Sequence, residues 1–285
     1  MKTQEIVVLY HADCPDGFGA SFAAWKKFGD NALYIPVHHN TPPPAQIGGK
    51  EVYLLDYAYP IEITNEVLPR VKKLIIIDHH VTAKDIVPLA HERVFDLAHS
   101  GSVLAWQYFH PDTETPLLLK YIEDVDLWKF SLPHAKELSE AIMMREFNFA
   151  AWESMLSDFE NPTVLDTYIH DGSILMKRKE IIIKKILESR ETVEFEGYQC
   201  LMVNSPVYSS SLGDAMVTLG SPIAIIWSRK GNRIIVSLRS KGDPDVAAIA
   251  QKYGGGGHKA AAGFSWDAKE LLTFRPLSTH VGTQS

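Results

Sequence analysis

Four short apolar runs in the first third of the chain constrain its fold: EIVVLY (residues 5–10), ALYIPV (32–37), EVYLL (51–55) and KKLIII (72–77). Each is too short for a buried helix and rich in Val, Ile, Leu and Tyr, which reads as a strand covered on both faces. Between or after them lie the helical stretches GFGASFAAWKKF and SVLAWQYF. This alternation predicts an α/β fold with a mainly parallel sheet flanked by helices.

The residues that follow the runs carry the functional signal. His11 and Asp13 follow the first, Asp56 the third, and Asp78, His79 and His80 the fourth. Ligands of such sheets bind beyond the carboxyl ends of the strands, so segments remote in sequence would deliver carboxylates and imidazoles to one edge. Asp56 or His11 alone would equally serve as a cap, turn or packing residue. Two adjacent imidazoles beside a carboxylate are hard to explain by packing or turn chemistry. Carboxylates gathered with no basic run nearby repel one another unless a cation compensates them. Mixed Asp and His donors without a thiolate pair suit Mn, Mg, Fe or Co better than a structural zinc. A pair of ions about 3.5–4 Å apart could activate a water for attack on a phosphoryl group.

Residues 134–190 read as helical and end in a connector helix, SILMKRKEIIIKKILESR. After Arg190 the texture returns to strands, TVEFEGYQCLMVNS and a hairpin IAIIWSRKGNRIIVSLRS turning at Lys230, Gly231 and Asn232. The expected organisation is a catalytic domain at 1–190 including the connector, a second smaller α/β domain at 191–275, and a tail at 276–285. The net charge of −7 over 285 residues argues against a protein that coats long nucleic acid through phosphate contacts. No apolar run approaches the roughly 18 residues of a membrane span, and the N-terminus lacks a signal-peptide pattern, so a cytoplasmic location is expected. The two cysteines, Cys14 and Cys200, are far apart and form no C-x-x-C pair.

These residues resemble the DHH phosphoesterase superfamily, named for the triplet seen here as Asp78, His79 and His80. HADCPDGFGA is similar to its first motif, Asp56 in LLDYAYP to its second, and IEDVDLW to its fourth, where Asp124 aligns best and Asp126 is the rival. GGGGHKAAAGF is similar to the signature of the DHH-associated domain that follows such catalytic domains. The resemblance implies a metal-dependent phosphohydrolase with a dinuclear Mn2+ centre, Mg2+ or Co2+ being substitutes. It carries the ligand roles to His11, Asp16, Asp56 as the bridge, His79 and Asp124. His80 would face the substrate phosphate and Asp78 would orient a ligand. The family pattern has two aspartates one residue apart in the first motif, where this chain places Cys14 at the first position. Asp13 is favoured here to supply that carboxylate, with Cys14 as a soft ligand the alternative.

In the second domain Arg239 and Gly255, Gly256, Gly257 and His258 are the anion-binding candidates. Glycine amides can approach a phosphate closely, and a guanidinium can grip it bidentately. The competing reading of the glycines is a turn that closes the helix DVAAIAQKYG, and that of Arg239 a surface arginine. The expected substrate is a short nucleotide: a short oligonucleotide, a dinucleotide or 3'-phosphoadenosine 5'-phosphate, with no long duplex and no membrane. Exopolyphosphatase or pyrophosphatase-type hydrolysis and a non-catalytic nucleotide-binding module are the alternatives. A homodimer is left open.

Overall fold

The computed structural model describes residues 4–38 and 41–268 and the backbone of 275–276. It divides into two compact units, residues 1–176 and 177–285, each described separately below.

In the first unit, five strands of the described residues form a sheet in the order β2-β1-β3-β4-β5: β1 (Ile6–His11), β2 (Ala32–Val37), β3 (Glu51–Leu55), β4 (Lys73–Asp78) and β5 (Glu92–Phe95). Every neighbouring pair is parallel. The period of two along each strand sends alternate side chains to opposite faces. Val8, Tyr53, Leu55, Ile75 and Ile77 enter one core, where α1 (Pro15–Phe28) and α3 (Gly101–Phe109) pack. Val7, Leu9, Val52, Leu54, Leu74 and Ile76 enter the other, beneath α2 (Ile61–Val67). Each such side chain contributes about 1.5–3 kcal/mol on burial, and together they explain why the runs are apolar at consecutive positions. α4 (Leu117–Asp126), α5 (Ala135–Met143) and α6 (Phe149–Phe159) complete the first core.

The chain passes from β1 to β2 on one side and then crosses to β3 on the other, so the strand order reverses between β1 and β3. Loops leaving the carboxyl ends of these two strands diverge and open a crevice. His11 closes β1 and Asp56 follows β3.

The connector is a single helix, α7 (Pro162–Leu187), and the division between units falls inside it, ahead of the boundary at 190 read from the sequence. The helix contributes Val164, Leu165 and Ile169 to the first unit's core and Ile183, Ile186 and Leu187 to the second's.

In the second unit, β6 (Glu191–Phe195), β7 (Tyr198–Asn204), β8 (Ala224–Lys230), β9 (Arg233–Arg239), β10 (Gly256–His258), β11 (Ala261–Asp267) and β12 (Arg275–Pro276) make a mixed sheet in the order β10-β11-β9-β8-β7-β6-β12. The β8–β9 hairpin turns where the sequence places it, and α8 (Ser209–Thr218) and α9 (Val246–Lys252) pack against this sheet. Apart from Pro276, the tail assigned to 276–285 lies outside the described residues.

The glycine run is more structural than the anion-cradle reading expects. The Gly254 amide donates to Gln251 O and the Gly255 amide to Ala250 O, which closes α9, while Gly256, Gly257 and His258 form the edge strand β10. A Cβ on Gly255 would lie 2.1 Å from Gly263 O, whereas one on Gly256 meets nothing within 4 Å. Gly257 has φ +141°, and its Cβ would meet Ala261 O at 2.6 Å. The Gly254 and Gly255 amides therefore serve the helix end, and an anion could use only the strand that follows. Gly255→Ala should cost about 1–3 kcal/mol through overpacking against backbone that cannot retreat. Gly256→Ala should stay within about 0.5 kcal/mol. Urea midpoints that are equal for the two variants would contradict this assignment.

Candidate metal centre

Asp56 occupies the crevice between β1 and β3. Its backbone is left-handed at φ 53°, and its amide donates to Ile77 O on β4. Left-handed backbone is costly for a non-glycine residue and persists where surrounding structure enforces it. Gly101 at the start of α3 leaves room for Asp56 by its missing side chain; a Cβ there would approach the Asp56 Cβ to 2.6 Å.

The segment HADCPD turns from β1 into α1. Asp13 is also left-handed, at φ 56°, and this turn directs its side chain outward. It is 89% exposed, 3.9 Å from His38 Nε2. The following Cys14 is the cap residue of α1 and faces inward; its sulfur, a His11 nitrogen and an Asp56 oxygen lie within 4.8 Å of one another. The expectation that Asp13 supplies the first-motif carboxylate is therefore corrected: one residue of left-handed backbone exchanges the two side chains, and Cys14 faces the cluster. Asp16, in the first turn of α1, is buried and accepts from the amides of Gly101 (2.6 Å) and Ser102 (3.0 Å). The start of α3 thus stabilises this carboxylate.

His79 joins the parts. Its Nε2 lies 3.3 Å from Asp56 Oδ1, 3.5 Å from Asp126 Oδ2 and 3.8 Å from Asp16 Oδ2, while Asp56 Oδ2 lies 3.4 Å from His11 Nδ1. The two Asp56 oxygens consequently face different imidazoles, His11 on one side and His79 on the other. Although Asp56 Oδ1 and His79 Nε2 are buried and face each other, neither finds a hydrogen-bond partner among the described residues. Buried polar atoms without partners carry a desolvation cost of about 1–3 kcal/mol each unless a ligand meets them.

Electrostatics point the same way. Burial, followed by the charges of Asp56 and Asp126, pushes the Asp16 carboxyl well above its ordinary value. Burial and Asp56 push Asp126 up to about 6. Burial would also raise Asp56, but His11, His79 and His80 around it hold it below the usual carboxylate range. Burial, then Asp56 and Asp16, drive the Cys14 thiol well above its ordinary value. A divalent cation would relieve this repulsion and meet the orphaned atoms, so the donor set fits a bound metal.

The fourth-motif assignment changes as well. Asp124 accepts from Ser131 N (2.9 Å), Ser131 Oγ (2.5 Å) and Leu132 N (3.1 Å). Burial opposes its charge, yet these bonds hold its carboxyl below the ordinary range. It anchors the loop after α4. Asp126, two residues on and so on the opposite side of the helix, is the one near His79. Asp126, Cys14 and Asp16 also line a small cavity with Ile122, Val125 and Ile142.

Asp78 accepts from the amides of His79 (2.7 Å) and His80 (3.0 Å) and faces His80 Nδ1 at 2.8 Å. It therefore fixes the orientation of the triplet's second imidazole, which in turn lies 3.7 Å from Asp56 Oδ1. Burial acts to lower the His80 pKa, but Asp78 and Asp56 push it up to about 9. In the second unit Arg239 is no loose surface arginine: it donates to Leu238 O and Ser210 Oγ at 2.9 Å, and its stem fills the space over Gly213 of α8. Trp106 and Trp152 are buried and Trp25 stacks on Phe149, in keeping with core roles, while Trp128 is exposed.

Gly101 and Ser102 escape the sequence reading, although Ser-Gly-Ser ahead of an apolar helix is a helix-start signal that could have marked them. Asp124→Ala should destabilise the fold by about 1–3 kcal/mol, because the groups it caps lose their acceptor. Asp126→Asn should leave the urea midpoint unchanged or higher while lowering calorimetric Mn2+ affinity by more than about tenfold. The opposite pattern would return the ligand role to Asp124.

The DHHA1 domain family matches residues 203–275. The uncharacterized protein R106 of Acanthamoeba polyphaga mimivirus is 31% identical over 304 residues, spanning 97% of this chain and 71% of its own length. Among solved structures, the DHH domain of a protein from a family of ribosomal proteins superposes with a TM-score of 0.60 at 13% identity, covering 92% of this chain and 82% of that one. An exopolyphosphatase-related protein from Bacteroides fragilis gives 0.51 at 13% identity, covering 94% and 88%. At these identities the structures share the fold. The chain is thus a relative of the mimivirus protein, carries a DHHA1 domain at residues 203–275, and ahead of it has the fold of DHH domains, with Asp78, His79 and His80 at the edge of the parallel sheet.

Proposed function

We propose that the chain is a metal-dependent phosphohydrolase acting on short nucleotides, namely short oligonucleotides, dinucleotides or 3'-phosphoadenosine 5'-phosphate. The observation that carries this reading is Asp56, buried, with its two oxygens facing His11 and His79 separately and one of them making no hydrogen bond among the described residues. A carboxylate so placed suits the bridge of a two-ion site. His11, Cys14 and Asp56 would hold one ion; Asp16, Asp56, His79 and Asp126 would hold the other. Divalent ions bound there would supply Lewis acidity toward a phosphoryl oxygen and the attacking water.

The protein's own groups have definable tasks. The Gly101 and Ser102 amides hold Asp16 in place, and Gly101 leaves the space that Asp56 fills. Asp78 holds the His80 imidazole in one orientation, from which it can bind or protonate a phosphate oxygen. Oxygen-rich donors favour Mn2+ or Mg2+. The net charge of −7 supports short substrates over long nucleic acid. No helix among the described residues is long and apolar enough to cross a membrane. A reducing, cytoplasmic setting is part of the proposal and suits a centre that includes the free thiol of Cys14.

Phosphate or mononucleotide release from a linear dinucleotide, 3'-phosphoadenosine 5'-phosphate, a cyclic dinucleotide and tripolyphosphate tests the proposal. Release from the first two with Mn2+, abolished by chelator, is expected; turnover of tripolyphosphate alone would favour the polyphosphatase reading. Asp56→Asn should lower kcat by on the order of 10²–10⁴. Activity near the wild-type level in that variant would refute a bridging role. Arg239→Ala should raise KM more than it lowers kcat, and an unchanged KM would remove Arg239 from substrate binding.

A further inference from the structure

We propose that the two halves of this centre are chemically unequal: Cys14 makes the half it shares with His11 selective for an ion of the zinc, cobalt or iron type, while the other half takes a harder ion such as manganese or magnesium. The inference rests on the reading above that the cluster binds two divalent ions.

The donor sets differ. Beside the shared Asp56, the first offers a sulfur and an imidazole nitrogen, gathered within 4.8 Å. The second offers the carboxylates of Asp16 and Asp126 with the His79 imidazole, also within 4.8 Å. Thiolate and imidazole favour zinc and its softer neighbours, whereas carboxylates favour manganese and magnesium. Helix capping does not account for Cys14. A cap residue ordinarily offers an oxygen to the first free amides, and the Cys14 side chain makes no such bond among the described residues. What faces the sulfur, together with a His11 nitrogen, is a carboxylate oxygen of the almost fully buried Asp56. A cysteine placed only to pack would sit badly against a buried carboxylate. It remains the alternative that the test addresses, because Cys14 also lines the small apolar cavity.

Metal-free wild-type protein titrated with Co2+ and followed by absorption should develop the intense near-ultraviolet sulfur-to-cobalt charge-transfer band. Cys14→Ser and Cys14→Asp should lack it while still binding cobalt at the second half. Zn2+ should displace the band-forming ion and Mn2+ should not. In Cys14→Asp the preference of that half for Zn2+ over Mn2+ should fall by more than about tenfold. The wild-type spectrum decides the matter even where a variant is unstable. Cobalt bound by wild-type protein without the sulfur band would overturn the inference and leave the hydrolase reading intact. The band in a protein that releases neither phosphate nor mononucleotide from any substrate in the panel would do the reverse, and an absence of cobalt binding would overturn both.

Discussion

The structure depends on one electrostatic constraint: Asp16, Asp56 and Asp126 converge on a single buried imidazole, that of His79, at the carboxyl edge of a parallel sheet. Like charges this close resist ionisation, and the surrounding protein offsets the repulsion only in part. Asp16 has the amides at the start of α3, and Asp56 has the three imidazoles around it. What remains uncompensated is repulsion that a bound cation would relieve, which is why the donor set fits a metal.

Topology brings these groups together. The order β2-β1-β3-β4-β5 sets β1 and β3 side by side although α1 and β2 separate them in sequence, and the reversal between them leaves space for His11 and Asp56. Two apolar cores, one on each face, hold the three site-bearing strands in parallel register, so a side chain one residue past a strand end has little freedom in where it arrives. Helix ends deliver the remainder: the start of α1 contributes Cys14 and Asp16, the start of α3 the amides that receive Asp16, and the end of α4 Asp126.

Much of this is legible from residue patterns, for physical reasons. Fully buried strands must be apolar at consecutive positions, so LIII and IVVL announce themselves, and Asp78, His79 and His80 directly after such a run have few structural uses. Other features depend on a backbone angle or a distant partner. Nothing in HADCPD shows that Asp13 is left-handed, yet that single φ turns Asp13 to solvent and Cys14 inward. In IEDVD two aspartates compete, and the contest is decided by Ser131 and Leu132, which lie beyond the end of the helix and engage Asp124. In GGGG, chain composition suggests exposed amides, whereas the fold uses two of them to end α9 and places the rest in an edge strand.

The start of α3 supports two acidic side chains from different parts of the chain at once. Gly101 donates its amide to Asp16 and, by lacking a side chain, admits Asp56. A side chain at position 101 would meet Asp56 directly and could reach Asp16 only by displacing the backbone amide that holds it. The first residue of one helix thus ties together two acids that lie 40 positions apart in the sequence, one through its backbone and the other through the space it leaves.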